Sequence, residues 1–107
     1  MTIDEYQKAA ARTLNYALTE EQQEMHALHL LAAETGEIHG LFQKVYQGHK
    51  LDNFELAKEI GDLMWGIAEL CTAREWSMEE ICRLNIDKLK RRYPDGFSAE
   101  RSRNREV

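Results

Sequence analysis

The chain runs 93 residues before its only proline, Pro94, and this freedom from helix breakers constrains its fold more than any other feature. Apolar residues along that stretch recur three and four apart, the spacing of a helix face, and nowhere alternate for long enough to propose a sheet. Thr2 followed by Glu5 predicts a capping box, and Ile3, Tyr6, Ala10, Leu14 and Ala17 carry a first helix to about Leu18. The polar stretch from Thr19 to Glu24 reads as a connection or as the first turn of the second helix. That second helix is expected from about Glu24 to Gln47, with Ala27, Leu28, Leu31, Ile38, Phe42 and Val45 as its stripe and Gly48 as its stop. Asp52 with Glu55 caps a third, which presents Leu56, Ile60, Leu63, Ile67 and Leu70 and ends near Arg74. Ser77 with Glu80 opens a fourth through Ile81, Leu84 and Leu89, and Pro94 closes it. The expected fold is all-α, a single helical domain over residues 1–97 with a four-helix core. A polar, basic tail occupies residues 98–107, with Phe97 as the one candidate anchor.

A chain of 107 residues has room for one small core, so oligomerisation is expected to complete it. The net charge of −5 argues against general or stable nucleic-acid binding, but the charge is unevenly spread. Arg83, Lys88, Lys90, Arg91, Arg92, Arg101, Arg103 and Arg105 face only Asp87, Asp95 and Glu100 in the last quarter of the chain, which leaves the rest strongly acidic. An acidic body with a basic end can bring metal cations to an anionic substrate, or can be an ordinary solvated surface. Cys71 and Cys82 match no short thiol motif and read as reduced core residues. No apolar run is long enough to cross a bilayer, and Met1 to Glu5 lacks the character of a signal peptide, so a cytoplasmic location is expected.

The residues that carry chemistry are acidic. Glu34 and Glu37 lie three apart on the second helix, and Glu59 and Asp62 three apart on the third, so each pair shares a helix face. At about 100° per residue, Glu34 projects between Leu41 and Val45, and Glu59 about 20° from Leu70. Both glutamates therefore point along apolar stripes, where a carboxylate needs protonation, a cationic partner or a metal. Four carboxylates without a required histidine or thiol suit a hard cation, Mg²⁺ or Mn²⁺. A di-iron bundle site would need Glu-x-x-His pairs, and Gln23, His26, Gly36 and Tyr46 stand in the position where each histidine would need a glutamate. The competing reading pairs these carboxylates with Lys44, Lys58 or the basic residues of the fourth helix.

The combination Glu34-Thr35-Gly36-Glu37, a 21-residue spacer, and Glu59-Ile60-Gly61-Asp62 resembles the motif of the MazG-like nucleoside triphosphate pyrophosphohydrolases. Gly61-Asp62-Leu63-Met64-Trp65 and the run from Asn85 to Pro94 resemble two further stretches of that all-α superfamily. The likeness spans about Leu28 to Phe97. It implies Mg²⁺-dependent cleavage between the α- and β-phosphates of a nucleoside triphosphate, on a four-helix core that assembles as a homodimer or homotetramer. By that likeness Glu34, Glu37, Glu59 and Asp62 are the metal ligands, and Asn85, Lys88 and Arg92 sit near the nucleotide and its phosphates. Glu37 is the candidate general base. Ala33 stands where relatives often have a further Glu, and Gly66 where they often have an aromatic residue, which implies a roomier base pocket.

Other residues carry two readings each. Trp65 can stack on a base or pack in the core or a subunit interface, and Trp76 reads as a packing residue. Lys88 and Arg92, four apart on one face, can hold outer phosphates or pair with Glu55 and Glu69. His26 and His29 can line the nucleotide pocket or be simply exposed. Gly36 and Gly40, four apart, predict a close approach of a helix or ligand. The rival from another class is a non-catalytic helical dimer that binds nucleotide or an acidic partner through its basic C-terminal segment.

Overall fold

The computed structural model describes residues 1–105. Five helices succeed one another: α1 (Ile3–Ala11), α2 (Glu20–Val45), α3 (Asn53–Ala73), α4 (Met78–Arg92) and α5 (Ala99–Arg103). No strand occurs among the described residues, and the all-α expectation holds. The last two residues of the expected tail lie outside them; within it, Ser98 caps α5, and Arg101 Nε donates to the Arg92 carbonyl at 2.7 Å.

Local chemistry explains most boundaries. Reciprocal capping boxes start α1 at Thr2/Glu5 and α2 at Thr19/Gln22. Asp52 caps α3 by accepting from the Phe54 and Glu55 amides, while the Glu55 carboxylate turns to Lys58 at 2.8 Å. Ser77 accepts from the Glu80 amide, but the Glu80 carboxylate faces Arg83 and does not close the box. Tyr93 precedes proline, which disfavours helical backbone, and α4 stops at Arg92.

The first helix is shorter than its apolar pattern predicts. It ends at Ala11, not near Leu18, because side chains after it draw the backbone into turns. Thr13 Oγ1 donates to the Ala10 carbonyl, Tyr16 Oη to that of Ala11, and Asn15 Oδ1 accepts from the Ala17 amide. Leu14 is buried all the same, which is why its spacing imitated a helix. The polar stretch from Thr19 belongs to α2, which starts four residues earlier than expected.

The helices α2 and α3 form the long antiparallel pair of the molecule, with α1 laid across α3 and α4. A close passage falls at Gly66, where an added Cβ would come within 2.8 Å of Leu30 Cδ2 and 2.9 Å of Leu31 Cδ2. A Cβ at Gly36 or Gly40 would meet nothing within 4 Å, so the close approach expected there is not made within the chain. Gln7 fastens α1 to the α3–α4 corner: its amide donates to Thr72 Oγ1 and the Trp76 carbonyl, and its oxygen accepts from the Met78 amide at 2.7 Å.

The core is small and made of small residues. Ala10, Ala68, Cys71 and Met78 form its centre, with Tyr6 and Trp65 packed against them. Both cysteines are free thiols, Cys71 buried and Cys82 half-buried. Larger apolar side chains stay outside, among them Phe42, Ile60, Met64, Leu84 and Phe97. The accessible surface is 8137 Å², whereas a compact 12.5 kDa monomer exposes about 6,200 Å². The radius of gyration, 17.1 Å, likewise exceeds the roughly 13 Å of a compact domain this long.

Gly66→Ala gains about 1 kcal/mol of helix propensity but overpacks the seam, which typically costs about 1–3 kcal/mol. Urea denaturation should show a net loss of about 1 kcal/mol for Gly66→Ala, and a gain for Gly61→Ala, where an added Cβ meets nothing within 4 Å.

Candidate metal centre

The contact at Gly66 fixes the register of α2 against α3, and that register decides which acidic residues meet. One and two turns along from Leu30 and Leu31, Glu34 and Glu37 come opposite Asp62 and Glu59. Glu34, Glu59 and Asp62 each offer one oxygen, and the three oxygens lie within 4.8 Å of one another. Glu34 and Glu59 are half-buried, while Asp62 and Glu37 are exposed.

Two of the oxygens are left without a partner. Glu34 Oε2 and Glu59 Oε2 are buried and accept no hydrogen bond from the described residues. Ionised carboxylates only accept, so facing carboxylates can bond to one another only by keeping a proton. The acidities reflect this. The Glu59 carboxyl is pushed above its ordinary value first by its hydrogen bond to Glu34; a bond from Glu37 acts the other way, and burial and the charges of Glu34 and Asp62 add to the rise. Glu37 is pushed up by its hydrogen bond to Glu59 and by that residue's charge, with smaller contributions from burial and Asp62. The Tyr6 phenol is raised mainly by burial and then by the charge of Asp62, which brings α1 to the edge of the cluster.

Lys58 feels the charge of Glu59, but its pKa is raised first by its hydrogen bond to Glu55 and by that residue's charge, and only last by Glu59. The lysine and arginine ion pairs among the described residues are Lys58–Glu55, Arg74–Glu24, and Arg83 with Glu79 and Glu80. None of these involves the four carboxylates. Buried acceptors without a donor, converging with a third carboxylate and no sulfur or imidazole among them, fit a hard divalent cation.

The other candidates lie outside this cluster. Trp65 packs its ring against the core and donates its indole N–H to Thr13 Oγ1 at 2.8 Å. Trp76 is half-exposed with the Arg74 guanidinium 4.8 Å over its ring. Asn85, Lys88 and Arg92 share one face of α4. No hydrogen bond or ion pair links Asn85 or Lys88 to the carboxylates among the described residues, and the Arg92 guanidinium lies 5.9 Å over the Tyr93 ring. The partners proposed for them are taken, Glu55 by Lys58 and Glu69 by His26. His29 is exposed. Nothing in the spacing of Gln7 or Glu69 marks either as structural; a buried glutamate on an otherwise apolar α3 face was the only available signal.

The family model of the MazG nucleotide pyrophosphohydrolase domain matches residues 22–97, which contain all four carboxylates. The chain belongs to the MazG family. No curated protein and no solved structure matches it. Family membership brings nucleotide pyrophosphohydrolase chemistry in general, and with it a nucleotide substrate. In this MazG domain no helix among the described residues is long and apolar enough to cross a membrane.

The raised pKa values of Glu37 and Glu59 set the pH dependence of the metal-free protein. A carboxyl whose folded value lies above its unfolded one holds its proton more tightly in the folded state. Its stabilising contribution is therefore complete below the ordinary 4.5 and is lost as pH rises through the folded value. The melting temperature without metal should fall over that interval, and Mg²⁺ at about 100 times its Kd should restore about 2.7 kcal/mol at neutral pH. Glu34→Gln removes one of the repelling charges, so it should melt at or above wild type without metal and lose most of the Mg²⁺ gain. A variant that is less stable without metal, yet gains as much from Mg²⁺ as wild type, would mean that Glu34 serves as an ordinary ion-pair partner.

Proposed function

We propose that this MazG-family chain hydrolyses nucleoside triphosphates to monophosphate and pyrophosphate, using Mg²⁺ (or Mn²⁺ in its place) held by Glu34, Glu37, Glu59 and Asp62. The observation that supports it most directly is the pair of buried, partnerless oxygens on Glu34 and Glu59 beside the Asp62 carboxylate. Bound there, Mg²⁺ neutralises phosphate charge and lowers the pKa of a coordinated water.

The side chains divide the remaining work. Glu34 and Glu59, half-buried and fixed between two helices, hold their oxygens in place without rearrangement. Glu37 is exposed and takes the proton from the attacking water as general base. Asn85, Lys88 and Arg92 present donors and positive charge from one face of α4 to the phosphates. Trp65, its indole N–H held by Thr13, offers a fixed aromatic surface to the nucleoside. The substrate on this reading is drawn from the cytoplasmic nucleotide pool. Incubating the protein with nucleoside triphosphates and Mg²⁺ should release pyrophosphate and monophosphate together; orthophosphate with a diphosphate as first products would overturn the assignment.

The same reading has the chain work as a homodimer or homotetramer. Ile60, Met64 and Ile67 repeat as i, i+4, i+7 on α3 and are 48%, 41% and 37% exposed. With Phe42 on α2 they form the kind of stripe a helix presents to a partner. The surplus surface of about 2,000 Å² per chain is what an obligate homodimer buries. Light scattering at micromolar concentration should give twice or four times the monomer mass, and Met64→Glu should shift the population toward monomer. A wild-type monomer would refute the assembly.

A further inference from the structure

Glu69 is the largest fully buried side chain among the described residues, 2% exposed, and it takes no part in the carboxylate centre. Both of its oxygens receive His26 Nδ1, at 2.8 and 2.9 Å. A carboxylate is costly to bury, and here it is kept to grip one nitrogen of a ring whose side chain is 48% exposed. The ring is held on a second side by Trp65, edge to face at 6.4 Å between centroids and 88° between planes. Trp65 is in turn tied to Thr13. With Nδ1 committed to Glu69 in either protonation state, Nε2 is the nitrogen left to act, and it has no hydrogen-bond partner among the described residues.

The placement of this pair gives it a role. Along α3, Asp62, Trp65 and Glu69 are spaced i, i+3, i+7 on one face, so Glu69 lies about 10.5 Å beyond Asp62. Along α2, Ala33 and Glu37 each lie within about 20° of His26 around the helix. By helical phase these positions define a lane along one α2–α3 face from the carboxylates to the imidazole, with Trp65 and the exposed Ala33 between them. The lane is about as long as a nucleoside. Resting on the function proposed above, we infer that His26 is the residue that reads the nucleoside of the bound nucleotide. Its Nε2 bonds to a polar group of the base edge or the sugar, and Glu69 acts as the positioning residue. Phosphate recognition is the task of the opposite end of the lane.

His26→Gln tests this, because a glutamine amide can still donate to Glu69 while presenting no ring nitrogen to a ligand. The variant should keep the wild-type Mg²⁺ response in melting and much of its kcat. KM for the preferred triphosphate should rise about tenfold or more, and discrimination among bases, or between ribose and deoxyribose, should narrow. Comparing the four bases in both sugar series shows which part of the nucleoside His26 contacts. Imidazole ¹⁵N shifts of the wild-type protein with Mg²⁺ give a readout without any mutation. His26 Nε2 should move on adding a non-hydrolysable α,β-imido nucleoside triphosphate, and not on adding inorganic triphosphate. An unchanged KM pattern in a folded His26→Gln, or an Nε2 signal indifferent to the nucleoside, overturns the inference while leaving the hydrolysis intact. Absence of Mg²⁺-dependent turnover in the wild type would instead remove the reading on which it rests.

Discussion

The close passage of α2 over Gly66 is the contact on which the rest of the molecule depends. Without a side chain at that position, Leu30 and Leu31 settle against the α3 backbone and lock the two long helices in one antiparallel register. Each further turn then meets a fixed opposite: the acidic pairs in one direction, and His26 with Glu69 in the other. The site is therefore built on the stiffest part of the chain. Helix positions hold side chains more exactly than loops do, and a charge cluster needs that rigidity, because a looser frame would relax by letting the carboxylates swing out to water.

Three acids on the same pair of helices, one buried and two half-buried, are treated in opposite ways. Glu69 is surrounded and satisfied, with both oxygens on one imidazole nitrogen. Glu34 and Glu59 each keep a buried oxygen with nothing to accept from. The difference separates an acid whose oxygens are both satisfied from two that each bury an oxygen with no donor among the described residues. Two of the arginines nearby in sequence are spent elsewhere, Arg74 on Glu24 and Arg83 on Glu79 and Glu80.

Much of this was legible in the residues. Cap residues and the 3.6-residue repeat located α2, α3 and α4 to within a few positions, because those helices have strong stop signals at Gly48 and Pro94. The acidic pairs stood out for lying on apolar faces. What escaped was whatever depends on contacts between distant segments. The end of α1 is decided by Thr13, Asn15 and Tyr16 bonding backbone, which outweighs the spacing of Leu14 and Ala17. Gln7 looks like any surface glutamine until the α3–α4 corner closes on it. The His26–Glu69 pair joins residues 43 apart in sequence, and no local pattern announces it.

The seam also separates two properties of the linking segment that a sequence motif runs together. Since Gly66 and its two leucines set the register, the number of residues from Tyr46 to Asp52 is not what aligns the acidic pairs. A longer or shorter loop around Gly48, which already adopts φ +92, should leave that alignment in place. One residue added inside α3 between Asp62 and Gly66 would turn Glu59 and Asp62 by about 100° relative to the contact at Gly66. Chains of this architecture are thus free in spacer length and bound in helical phase, and insertions tolerated in their evolution should fall in the loop and avoid the helices that flank it.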